Sequence, residues 1–181
     1  MGKMKVVFNI KNSKKMKNKI LFLLVLLFCL GCKPNIEFMN DKTPYYGNEL
    51  RINGYYYNND NEYYSDIIFF YRDGTVYQIS QPKFDNENDR QKIDLNGISQ
   101  KWGWGHFYII GTNISYEYWG TSGCFEYVGQ FRGTIDNDTT YTITRLRQQT
   151  YNNNFEKVSN IYKFRVFDNK PDSTFCKEYE Y

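Results

Sequence analysis

Phe125-Glu-Tyr-Val-Gly-Gln-Phe-Arg-Gly-Thr-Ile135 decides the fold class. Phe125, Tyr127, Gly129, Phe131, Gly133 and Ile135 alternate strictly with Glu126, Val128, Gln130, Arg132 and Thr134. A period of two puts one set on each side of a strand, so one face is destined for a core. Downstream, Asp136-Asn137-Asp138 turns the chain into a second strand, Thr139 to Gln148, rich in Thr and Tyr. Upstream, Ile114, Tyr116 and Tyr118 share a face opposite Ser115, Glu117 and Trp119. That strand pairs back through Gly111-Thr112-Asn113 onto Gly103 to Ile110.

The same grammar continues to both ends. Ser65 to Tyr71 and Thr75 to Ser80 flank Arg72-Asp73-Gly74, and Asp-Gly between apolar runs predicts a tight hairpin because both residues tolerate positive φ. Leu50 to Tyr57 reads as the first strand, closed by Asn58-Asn59-Asp60-Asn61. Beyond Asn152 to Lys157, the last strand sets Tyr162, Phe164 and Val166 against Ile161, Lys163, Arg165 and Phe167. A polar stretch, 81–100, predicts a long loop with one short helix near Ile93 to Gln100. The total is about eight antiparallel strands in sequence. Such a meander closes into a barrel, which removes exposed edges; an immunoglobulin-like β-sandwich is the alternative.

Composition agrees. In 181 residues there are 18 Tyr and 14 Phe but no alanine, the strongest helix former, and the length suits one domain. Residues 1–32 carry seven lysines and no acid, so 23 basic against 20 acidic residues becomes 16 against 20, and +3 becomes −4. A net-acidic body has no electrostatic pull toward nucleic acid. The basic head precedes Ile20 to Gly31, twelve residues by count of the sequence, too few to span about 30 Å of hydrocarbon. This is the pattern of an export signal over 1–31, with Met16 a second plausible start that would make 1–15 an over-extended beginning.

The signal ends in Cys29-Leu30-Gly31-Cys32. This resembles the lipobox of bacterial lipoproteins, which implies cleavage before Cys32, a diacylglycerol on its sulfur and residence in the cell envelope. The implied location is the periplasmic face of the outer membrane, with the membrane itself as partner. Two or three acyl chains hold a protein on a bilayer essentially permanently. Residues 32–44 then read as a short polar linker and 45–181 as a single β domain. With its lipobox, about eight strands and a Trp-Gly-x-Gly-x-Phe-Tyr-Ile-Ile-Gly-Thr-Asn-Ile hairpin at 102–114, the chain is similar to lipocalin-like, calycin-type barrel lipoproteins.

Candidate chemistry is sparse. Cys124 and Cys176 are left after lipidation, and an oxidising compartment allows them either to bridge or to remain buried thiols. His106 has no second histidine, and no Cys pair has ligand spacing, so no metal or cofactor is expected and the body reads more readily as a binder than as an enzyme. Asp85, Glu87 and Asp89, like Asp136 and Asp138, fall in turn-forming loops. The aromatic surplus is the remaining feature: Trp102, Trp104 and Trp119, with His106, form the hairpin group expected to hold a small apolar or carbohydrate ligand. An envelope interaction or inhibitor module is the alternative function, and a hydrolase the third.

Overall fold

The computed structural model describes residues 36–84, 93–123, 125–149 and 154–174. The expectations placed on the signal segment, on Cys32, Cys124 and Cys176, and on the acidic run 85–89 lie outside the described residues.

Eight strands follow one another: β1 Gly54–Asn58, β2 Tyr64–Phe70, β3 Thr75–Pro82, β4 Trp104–Ile110, β5 Asn113–Ser122, β6 Phe125–Asn137, β7 Thr140–Gln148 and β8 Glu156–Val166. Each pairs antiparallel with the next, and β1 closes on β8 through Gly54↔Val166 to Tyr57↔Lys163, giving one closed barrel. That closure decides between barrel and sandwich, since a sandwich would leave β1 and β8 apart. The first strand starts at Gly54 rather than Leu50 because Leu50 is spent elsewhere: its N–H donates to the Tyr45 hydroxyl at 2.8 Å, and both side chains plug one end of the barrel. The segment expected to be helical near 93–100 is a pair of turns. Asp94 accepts the Asn96 N–H at 2.8 Å, and Gly97 has φ of 97°.

The Asp73-Gly74 hairpin forms as expected. Gly74 sits at φ 85°, and a Cβ there would fall 2.2 Å from the Thr43 carbonyl oxygen, so the position admits only glycine. Inside the barrel, Tyr56, Ile68, Phe70, Val76, Phe107, Ile114, Tyr116, Ile135, Tyr141, Ile143 and Tyr162 form the core, as alternation demands. Phe70 is its hub, with rings of Phe107 at 4.9 Å, Tyr56 at 5.7 Å and Tyr141 at 5.8 Å between centroids.

A second apolar cluster lies on the outside of β1–β4. Tyr55, Ile67, Phe69, Tyr71, Tyr77 and Trp104 point outward there and are covered by Phe84, Ile93, Leu95, Ile98 and Phe167. Much of the aromatic surplus is therefore structural: strands buried on both faces need rings on both. Lys170 pins the covering C-terminal segment, donating to the carbonyl oxygens of Ile52 (2.6 Å) and Phe70, with its ammonium over Tyr71.

Residues 36–45 run along the outer surface. The buried Glu117 carboxylate accepts the Met39 N–H at 3.0 Å, the Asn40 N–H at 2.8 Å and the Gln130 amide at 3.0 Å. Lower down, Lys42 pairs with Asp73 at 3.2 Å and the Tyr45 N–H reaches the Arg72 carbonyl at 2.8 Å.

Candidate functional site

The barrel wall is thinnest between β3 and β4. Their ladder consists of Thr75↔His106, Val76↔Gly105 and Tyr77↔Trp104, while β2 stays paired with β3 all the way to Pro82. The chain entering β4 turns sharply at Gly103, φ 84°, whose carbonyl accepts the Gln78 N–H at 2.8 Å and whose own N–H donates to Trp119 at 2.6 Å. Above that point Ile79 to Pro82 have no β4 partner, and a cleft of about 260 Å³ opens between the upper half of β3 and the upper ends of β5 and β6.

Because the wall is incomplete, the cleft collects residues from both faces of the sheet. Tyr77, Ile79, Trp102 and Trp119 come from the outer face; Gln78, Ser80, Tyr118, Gly120 and Tyr127 come from the inner one. Gly120 makes room for the inner wall, since a Cβ there would lie 2.2 Å from the Tyr127 ring. Apolar ring faces beside amide and hydroxyl groups give a surface on which a flat ligand can stack and be hydrogen-bonded at its edge.

Behind Ser80 stands a carboxylate. Asp66 accepts the Ser80 hydroxyl at 2.6 Å, and burial raises its pKa above the ordinary carboxyl value despite that bond. Deeper inside lie the buried hydroxyls of Tyr116 and Tyr141 and the amide of Gln78, with Tyr116 interacting with Tyr141 and Gln78 with Tyr118. Burial pushes the phenols of Tyr116, Tyr118 and Tyr141 well above their usual value, with neighbouring acidic groups adding to the effect. The mouth end of the interior thus gathers a carboxylate, phenols and an amide into one polar cluster.

The four hairpin residues separate into three environments. Trp104 is fully buried in the outer cluster, stacked on Tyr77 at 4.4 Å, with Nε1 donating to the Ile98 carbonyl at 2.8 Å. Trp102 and Trp119 both line the cleft and share one cation: Nζ of Lys101 lies 4.6 Å from the first ring and 4.8 Å from the second, while pairing with Glu126 at 2.9 Å. His106 is on the outer face, its ring 4.7 Å from Phe38, which in turn lies 5.4 Å from Trp119. It is therefore on the opposite side of the sheet from Asp66 and Ser80. Asp136 and Asp138 do local work, accepting the Thr142 hydroxyl at 2.8 Å and the Arg51 guanidinium at 2.7 Å.

Sequence reasoning passed over Tyr77, Gln78, Ser80, Asp66, Tyr118 and Tyr127. A signal existed: on β2 the inward series runs Phe70, Ile68, Asp66, and on β3 it runs Val76, Gln78, Ser80, both turning polar toward the same end. Among the described residues no cluster of three or more His, Cys, Asp or Glu could hold a metal ion, and no helix is long and apolar enough to cross a membrane. Comparison with protein-family models, curated proteins and solved structures returned no match.

Proposed function

We propose that this chain is a cell-envelope lipoprotein, anchored through Cys32, whose non-enzymatic barrel binds a small carbohydrate or similarly flat, hydroxylated molecule in the β3–β5 cleft. One observation carries the ligand reading: the gap in the barrel wall brings the rings of Trp102, Trp119 and Tyr77 together with Gln78 and Ser80 around about 260 Å³. That volume is at the small end for ligand sites and fits one ring system rather than a long acyl chain. The filled aromatic core below it points the same way, because a lipid-carrying barrel needs a deep empty interior.

Tryptophan fluorescence tests it. Titration with a panel of mono- and disaccharides should give a saturable change that Trp102→Ala weakens at least tenfold, while a fatty acid gives none; saturable fatty-acid binding, or sugar binding indifferent to Trp102, would overturn the assignment. The anchor is tested separately. Cys32→Ser should abolish palmitate labelling and leave the signal segment uncleaved.

A second reading, an envelope docking module, is favoured by the rim of the mouth, where Tyr63, Tyr64 and Phe125 are 67%, 54% and 63% exposed. Replacing all three by Ser should leave sugar binding intact if the cleft is the site.

A further inference from the structure

The outer face of β6–β8 is strongly basic in a domain that is net acidic. Arg132 on β6 lies directly opposite Arg145 on β7, which lies directly opposite Lys157 on β8, three cations in one cross-strand row. Like charges in direct opposition weaken a sheet, so the row has a cost that pairing cannot explain. A register break between Ile143 and Arg145 creates it: inward residues are Tyr141 and Ile143 before the break and Leu146 after it, so Thr144 and Arg145 both turn to solvent. Arg147, Lys163 and Arg165 extend the face, and its acids are engaged locally, Asp136 by the Thr142 hydroxyl and Glu126 by Lys101. Arg132 and Arg147 clasp the Phe155 ring at 4.3 and 4.7 Å, which orders the upper edge of the patch.

We propose that this face rests on the anionic phospholipid headgroups of the membrane that holds the chain. The inference builds on the anchor at Cys32. Charge complementarity is the first support, since basic residues beside a membrane attachment are drawn to an anionic leaflet. Continuity is the second. Sδ of Met39 contacts the Arg147 guanidinium, and Met39 is seven residues from Cys32, a reach of at most about 25 Å of extended chain. In the closed ring the β3–β4 gap that opens the cleft lies three to four strands from β7, and the opposite wall of the cleft is formed by β5 and β6.

Acylation footprinting of the full chain, isolated from membranes and reconstituted in vesicles, tests the proposal. On phosphatidylcholine vesicles containing phosphatidylglycerol, labelling of Lys157 and Lys163 should slow about fivefold relative to pure phosphatidylcholine, with Lys83, on the far side of the barrel, unchanged. High salt or Arg145→Glu should restore it. Equal labelling on both vesicles would overturn the proposal, as would protection by a soluble anionic polysaccharide but not by phosphatidylglycerol. Mass spectrometry of the N-terminus on the same sample scores the anchor independently: a chain held by an uncleaved apolar segment would still present the face to the vesicle.

Discussion

At the lower end of the barrel Tyr45, Leu50 and Ile52, from the chain before β1, pack with Ile109 of β4 and Ile135 of β6; at the upper end β3, β5 and β6 present Gln78, Ser80, Tyr118 and Tyr127 to a cleft, with Asp66 behind Ser80. The lower end is closed by that preceding segment, and the chemistry of the two ends differs as well. The lower end buries apolar surface under a plug whose one polar group, the Tyr45 hydroxyl, is hydrogen-bonded to Leu50 and Glu49 at 2.8 and 3.0 Å. The upper end keeps a carboxylate, several phenols and an amide clustered beside open space. Stability is concentrated where apolar surface is buried, and binding capacity where polar groups gather beside a cleft.

The largest expected effect is alkaline unfolding, which shows how far the polar character reaches into the core. Burial raises the phenols of Tyr56, Tyr116, Tyr141 and Tyr162 well above 10.0. The folded values exceed the unfolded one, so stability is intact below about pH 10 and is lost as pH climbs toward the folded values, at about 1.4 kcal/mol per phenol per pH unit. Urea titrations at successive pH values should show collapse between about pH 11 and 12. Tyrosinate absorbance should appear together with unfolding; its appearance near pH 10 in the folded protein would mean the core is open to water.

Next in size is a paired comparison of the two ends. Leu50→Ala removes a 2%-exposed plug residue and should cost about 3 kcal/mol, whereas Phe125→Ala, 63% exposed at the mouth, should change stability by less than about 0.5 kcal/mol. Equal losses in chemical denaturation would show that the mouth is as tightly packed as the base. The smallest effect has the opposite sign. The folded pKa of Asp66 is raised by burial, so the stability linked to its protonated form is full at acid pH and is lost as pH rises through the folded value. Asp66→Asn should therefore stabilise the protein at neutral pH, by less than about 1 kcal/mol because water at the mouth screens the charge, while weakening ligand binding. A loss of stability would assign Asp66 to the framework instead.

Much of the fold was legible because a two-residue period is a local property. Phe125 to Ile135 could be read without knowing its neighbours, and all six inward residues of that strand face as the alternation demands. The candidate site was legible only in part. Trp102 and Trp119 could be named, but nothing local separates them from Trp104, which the 93–98 turns bury, and nothing in the polarity of 36–44 announces that Glu117 gathers its backbone amides.

The sequence by itself determined the number of strands, their order and, along regular stretches such as Phe125 to Ile135, the side each residue faces, since backbone stereochemistry imposes alternation on an extended chain. Barrel closure through β1 and β8, the three-residue β3–β4 ladder that leaves the cleft, and the row Arg132–Arg145–Lys157 were decided only by the tertiary structure. Register between strands distant in sequence, and a bulge that turns one arginine outward, depend on how all eight strands share a single circumference, which no local stretch of chain encodes.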